Sequence, residues 1–368
     1  MPEGTVRDSL RKMIDGNGES HMSKKRHRSK FILILGVIMT LVMAMVSICV
    51  GQTSILSPID AISSLFSAIS KGGTGLEGAE IIVYEDRLPR TLMTIGVGIG
   101  LSIAGATYQA LIRNPLVDPY IMGVSAGAGT FAIAVIGFDF TFFGLMSIHS
   151  EYLTAISAIF GGLLAFAATM ILARGTGRTT NGYLLSGVII GLLFSAIQTA
   201  MIKFMGHKVS NSMAWLFGSF ANVSLTQALI VIVATVILVT LLMRKAKELN
   251  LVLLGENEAR QMGLDVRKFN TVMLIIASVL ASFCVAFCGI IGFVGLVVPH
   301  LCRMIFGGDH RLVMPASIAF GGCIMIMADL VARMALNSQE LPVGAITTLI
   351  GVPVFAYLLI KRGKIYNG

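Results

Sequence analysis

The sequence predicts an all-α integral membrane protein of about ten transmembrane helices with both termini cytoplasmic. Three observations carry this reading. The 368 residues are 55% hydrophobic and only 13% charged, against roughly 25% charged in an ordinary soluble domain, and the mean hydropathy is +0.84. Apolar runs of about 20 residues, the length one helix needs to cross a bilayer, recur between short polar gaps. The basic residues crowd into alternate gaps, as the positive-inside rule requires of a multi-pass protein.

Residues 1–30 form a polar cytoplasmic tail without apolar periodicity, expected to be disordered. It ends in Lys24, Lys25, Arg26, Arg28 and Lys30, directly before the apolar stretch 31–50. That stretch is longer than a signal-peptide core and has no small-residue cleavage site before Gln52, so it reads as an uncleaved first span. Further runs lie at 89–110, 117–137, 152–173, 182–204, 226–244, 268–290, 292–306, 312–336 and 342–360. The eighth is short and contains Pro299, and the tenth contains Gly351 and Pro353. Both are therefore expected to be bent or discontinuous. No linker divides the chain, so 31–362 reads as one transmembrane domain.

With the tail inside, the outer gaps hold Lys71, Arg87, Arg90, Lys203, Lys208 and Arg333, and the other 22 of the 28 Lys and Arg fall inside. The net charge of +9 thus orients the chain in lipid; no aromatic-interleaved basic patch points to nucleic acid. The five cysteines, Cys49, Cys284, Cys288, Cys302 and Cys323, all lie in or beside apolar runs. They imply no disulfide framework. Cys284 and Cys288 share a helical face, but no further ligand stands near, so both read as small packing residues. The 21 methionines read the same way. His300 and Arg303, just after Pro299, are read as holding a helix end.

Chemical signatures are few. There is no G-x-x-x-x-G-K-[ST] phosphate loop and no H-E-x-x-H zinc motif, and no Asp-rich cluster of the kind that holds magnesium in intramembrane transferases. An enzyme is disfavoured, and neither a metal site nor a cofactor is expected in this chain. A transporter driven by an ion gradient is the alternative class, and it would place carboxylates at mid-membrane. Only Asp329 qualifies, with Arg333 four residues on as its partner.

Five polar segments stand out: Arg87-Leu-Pro-Arg90; Arg113-Asn-Pro-Leu-Val-Asp-Pro119 followed by Gly123-Val-Ser-Ala-Gly127; Leu254-Gly-Glu-Asn-Glu-Ala-Arg-Gln-Met-Gly-Leu264; Gly292-Phe-Val-Gly-Leu-Val-Val-Pro-His300; and Glu340-Leu-Pro-Val-Gly344. Together, collinear from about Tyr84 to Lys361, they resemble the FecCD-type (type II) permeases of ABC importers for ferric siderophores, haem and cobalamin. The resemblance implies a cobalamin-permease-like fold and pairing with an identical subunit. It also implies two cytoplasmic ATPases that bind ATP and Mg, and an extracytoplasmic substrate-binding protein.

The loop 249–265 reads from its residues as a short amphipathic helix over 254–264, with Glu256 and Arg260 at i,i+4 and Gly263 as a stop. The resemblance makes it the segment that couples to the ATPase, through Leu254, Gly255, Glu256, Glu258, Ala259, Arg260 and Gly263. It assigns Arg87, Arg90 and Arg333 to docking of the binding protein. It also makes Gly191, Ser195, Gln198 and Thr199 on the fifth helix, with Thr347 and Thr348 on the tenth, candidates for the pathway lining. Helix packing through small residues is the competing reading for each of these. The ligand is not named by these motifs, and a ferric siderophore is the first expectation.

Overall fold

The computed structural model describes residues 30–51, 54–138, 150–177, 179–336 and 339–366; residues 1–29 of the expected polar tail lie outside them, and Lys30, expected to end it, already opens the first helix. Among the described residues the regular elements are helices, apart from one isolated antiparallel bridge between Val50 and Ile55. The longer ones are α1 (Lys30–Cys49), α2 (Pro58–Ser70), α3 (Ala79–Leu111), α4 (Val124–Phe138), α5 (Ser150–Gly175), α6 (Thr180–Phe204), α7 (Val209–Leu216) and α8 (Leu225–Met243). They continue as α9 (Ala246–Leu254), α10 (Glu256–Gln261), α11 (Val266–Cys288), α12 (Val294–Phe306), α13 (His310–Met334) and α14 (Val343–Tyr366). Seven of these, α1, α3, α5, α6, α8, α11 and α13, are long and apolar enough to cross a membrane. Three shorter apolar helices, α4, α12 and the Val343–Tyr357 part of α14, fall on the third, eighth and tenth expected runs.

Local chemistry sets the boundaries. Ser224 and Gln227 form a capping box at the start of α8, and the side chains of Thr179, Asp265 and Asp309 accept backbone N–H groups at the starts of α6, α11 and α13. Each satisfies an N–H that the helix cannot satisfy itself. The third apolar run yields a later helix than expected. Asp118 caps a 3-10 turn over Pro119–Met122, Gly123 turns left-handed at φ 79°, and the α-helix begins only at Val124. The eighth and tenth runs are not discontinuous: α12 and α14 continue through Pro299 and Pro353. At 13 residues, α12 is about 20 Å long, short of the roughly 30 Å hydrocarbon core.

The core is organised around α3, whose apolar window is 83% buried, whereas α1 at the rim is 11% buried. Packed on α3 are α8, α11, α12 and α13; α4, α5 and α6 form a second group joined to it through α11. Glycines in α3 let its neighbours approach. A Cβ on Gly98 would lie 2.4 Å from Gly321 O of α13, one on Gly100 2.4 Å from Cys284 Sγ of α11, and one on Gly105 1.8 Å from Gly295 O of α12. This is the small-residue packing by which membrane helices associate where lipid offers no hydrophobic drive. It also accounts for Cys284, which fills the space opposite Gly100. His300 is buried and packs edge-on against Phe355 of α14.

Candidate functional site

Two clusters stand at opposite ends of α13. Its first turn meets α9, where Asn250 Nδ2 donates to Asp309 Oδ1 at 2.7 Å and Asn250 Oδ1 accepts from His310 N at 2.8 Å. Its last turn carries Arg333, bound to Asp329 one turn back. The 25 residues of α13 separate the two by about 37 Å.

At the first end lies the expected coupling segment, which forms two helices instead of one. Gly255, at φ 143° and ψ 155°, breaks the chain between α9 and α10 in a backbone region open essentially to glycine alone. α10 then runs from Glu256 to Gln261, with Glu256 and Arg260 paired at 2.5 Å. Gly263, at φ 85°, closes it: Gly263 N donates to Arg260 O and Leu264 N reaches back to Ala259 O at 3.1 Å, a Schellman-type stop. Ala259, Leu249 and Val252 are fully buried, while Leu253, Leu254 and Met262 are 39%, 64% and 64% exposed and Glu256, Glu258 and Arg260 stand out beside them. The segment presents an apolar centre with a charged margin.

At the other end the structure brings Arg87, Arg90 and Arg333 together, but inside the chain. They are 1%, 4% and 3% exposed. Arg87 Nη1 donates to the carbonyls of Ile48 and Cys49 at 2.9 and 2.8 Å, and its Nη2 donates to Ser54 O and Oγ. Arg333 Nη2 donates to Ser47 Oγ at 2.7 Å, and its Nη1 lies 3.4 and 3.3 Å from the carbonyls of Ser47 and Val50. Two cations thus close the C-terminal end of α1, where carbonyls lack intrahelical partners and the helix dipole favours positive charge. Arg90 grips two carboxylates: Asp329 through Nε and Nη2 at 2.8 to 3.1 Å, and Glu340 through Nη1 and Nη2 at 2.8 and 2.9 Å. Arg333 Nε also lies 3.1 Å from Asp329 Oδ2, close enough for ion pairing although off line for a hydrogen bond. Asp329 is fully buried and Glu340 is 26% exposed. Sequence reasoning paired Asp329 with Arg333 and missed Arg90 and Glu340. The available signal was a surplus of cations at this end beside an intramembrane carboxylate that must be neutralised.

The pathway candidates divide between two helix groups. On α6, Ser195 and Thr199 are exposed and Gly191 and Gln198 half-buried; on α14, Thr347 is buried and Thr348 half-buried. The hydroxyls of Thr199, Thr347 and Thr348 donate to carbonyls three or four residues earlier in their own helices. α6 packs on α4 and α5, and α14 on α12 and α13. No group of three or more metal-ligating side chains occurs among the described residues.

A helical bundle with seven helices long and apolar enough to span a bilayer, three buried arginines and two carboxylates clustered at one end and an exposed two-helix segment at the other, has the build of a multi-pass membrane protein. The chain belongs to the FecCD transport family, whose model matches residues 38–361. It is 35% identical over 343 residues to the vitamin B12 import system permease protein BtuC of Vibrio cholerae, covering 93% of this chain and 96% of that protein. It is 34% identical to BtuC of Escherichia coli, covering 93% and 98%. An inward-facing structure of a proposed metal-chelate type ABC transporter superposes with a TM-score of 0.77 at 28% identity, over 90% of this chain and 99% of that one. The protein is thus a permease of the metal-chelate and B12 type of ABC importer, a transport component; nothing favours the ion-gradient alternative.

Proposed function

We propose that this chain lines half of the translocation pathway of an ATP-driven importer for a metal chelate (ferric siderophore, haem or corrinoid) in the cell membrane. It works there as a homodimer with ten spans per subunit and both termini cytoplasmic. The B12 permeases among its relatives favour a corrinoid, and the family as a whole accommodates the iron chelates. One observation carries the reading: the exposed segment of α9 and α10, an apolar centre with charged margins, in a chain that has no phosphate loop of its own. Two cytoplasmic ATPases, which bind the ATP and Mg, receive Leu254, Gly255, Glu256, Glu258, Ala259, Arg260 and Gly263.

A second subunit is supported by α6, which is only 22% buried and exposes Leu185, Leu192 and Leu193 beside Ser195 and Thr199. Pairing through two-fold symmetry brings Gly191, Ser195, Gln198 and Thr199 towards one pathway with Thr347 and Thr348. An extracytoplasmic binding protein docks at the arginine-cluster end. Buried as they are, Arg87, Arg90 and Arg333 serve that docking by holding its surface in shape.

The test is reconstitution with the ATPase partner. Reversing Glu258 and Arg260, as Glu258→Lys with Arg260→Glu, is expected to leave the permease folded, since exposed substitutions of this kind usually change stability by no more than about 0.5 kcal/mol. ATP hydrolysis should then proceed without transport. Normal transport by the reversed variant would refute the coupling role and make the segment a helix on the membrane surface instead.

A further inference from the structure

Between the first two spans the chain forms α2, which turns four of its five large apolar side chains outwards and leaves Leu65 half-buried. Ile55, just before the helix, and Ile59, Ile62, Phe66 and Ile69 are 74%, 79%, 52%, 75% and 58% exposed. Within the helix the spacing of three, four and three residues places Ile59, Ile62, Phe66 and Ile69 on one stripe, and Ile55 precedes it in the bridge with Val50. The opposite side is fixed to the protein. Ala61 and Ala68 are buried, Ser67 Oγ donates to Glu80 Oε1 at 2.6 Å, and Lys71 Nζ reaches both Glu80 oxygens at 2.7 and 2.9 Å. Asp60 and Ser63 lie on the polar flank, and the stripe itself carries no charge.

The depth of this helix is set by its root. Val50 and Ile55 form an antiparallel bridge, and Leu56 N donates to Cys49 O at 2.9 Å, so the chain re-enters level with the end of the first span. That span turns Ile38, Leu41, Val42 and Val46 outwards along the surface that meets lipid. From that level the stripe on α2 runs for the 13 residues of the helix, about 20 Å.

We infer that α2 is an interfacial helix, lying at the bilayer boundary with Ile59, Ile62, Phe66 and Ile69 inserted among the lipids. Its partner is the lipid surface itself. An amphipathic helix of this kind buries its apolar face at the border of headgroups and acyl chains. The start of α2 level with the end of a membrane span and the lack of charge along the stripe favour lipid over a water-facing protein interface. The inference rests on the membrane reading of α1 and deepens it by adding an element that lies on the bilayer beside those that cross it.

The experiment is nitroxide accessibility on the full chain in phosphatidylcholine and phosphatidylglycerol liposomes. All five native cysteines are buried, so a spin label goes selectively to an introduced one. Labels are placed at Phe66→Cys on the stripe, Ser63→Cys on the polar flank and Val42→Cys on the first span. Collisions with oxygen, which partitions into lipid, should exceed those with a water-soluble nickel chelate several-fold at position 66, as at 42, and the order should invert at 63. Equal nickel accessibility at 66 and 63 would overturn the interfacial helix. So would a label at 66 shielded from both reagents, which would put protein over the stripe. A water-accessible label at 42 would instead refute the membrane placement of α1.

Discussion

Removing Arg90 separates a structural role for the arginine cluster from a direct docking role. In Arg90→Met the methionine keeps much of the apolar stem and removes the guanidinium that holds Asp329 and Glu340. Glu340, 26% exposed, can turn towards water. Asp329, fully buried, cannot. Breaking a buried ion pair by deleting one partner costs about 3–5 kcal/mol, and the lower end applies because Arg333 still stands 3.1 Å from Asp329. For a chain of 368 residues, an unfolding entropy of roughly 2 cal/mol/K per residue converts 3 kcal/mol into a fall of about 4 °C in Tm. The assay is thermal unfolding of the reconstituted permease, run beside capture of the loaded binding protein at low and high ionic strength. Glu340→Gln should cost less, about 1 kcal/mol, because its partner keeps Asp329 and the site is partly hydrated. An unchanged Tm for Arg90→Met, with binding-protein capture abolished, would refute the reasoning and make Arg90 a docking contact.

Two further outcomes follow from the packing and the caps. Gly105→Ala drives a Cβ to 1.8 Å from Gly295 O, so α3 and α12 must separate. The expected loss is about 3 kcal/mol or more, seen as a lower Tm. Gly96→Ala meets the flexible end of Ile232 at 3.1 Å and Val231 Cγ1 at an ordinary 3.4 Å, side chains and no backbone, and should be tolerated. Asp309 is held down to about 2, from an ordinary 3.8, chiefly by its hydrogen bond to the Arg311 side chain and further by the Arg311 backbone and Asn250, against the opposing effect of burial. A lowered carboxylate adds stability that is fully present above its ordinary pKa and disappears as the pH falls through the lowered one. The stability difference between native protein and Asp309→Asn should therefore be constant above about pH 5 and vanish towards pH 2, in unfolding measured across that range. Asp309→Ala also loses the α13 cap, worth about 1 kcal/mol.

The membrane architecture was legible in the sequence because lipid imposes a length and a composition on each span. The short helix proposed for coupling was legible as a local structure: Glu256, Arg260 and Gly263 act within or just after it, and the structure pairs or positions each of them as their spacing requires. Its division at Gly255 was not anticipated, since the glycine read as a residue inside a helix. Spacing along the chain could not show that Arg90 takes Asp329 and Glu340, which lie 239 and 250 residues away. Nor did the start of α4 follow from hydropathy, because Val117 to Met122 are apolar enough for a span while Asp118, Pro119 and Gly123 commit them to a turn. α2 was passed over for the opposite reason. At 13 residues it is too short to register as a span, and its apolar stripe alternates with serines.

The arginine cluster also bears on the order in which the chain can be built. Arg87 and the end of α1 meet early, since both belong to the first two spans to leave the ribosome. Arg90 emerges with them, yet both of its carboxylate partners are translated more than two hundred residues later. Until then it is an unmatched charge at the membrane edge. When α13 arrives, Asp329 and Arg333 travel one turn apart on the same helix and enter as a nearly neutral unit. Glu340 follows and completes the grip. The last quarter of the chain therefore settles a charge left open by the first, so that a truncated or stalled product carries an uncompensated arginine.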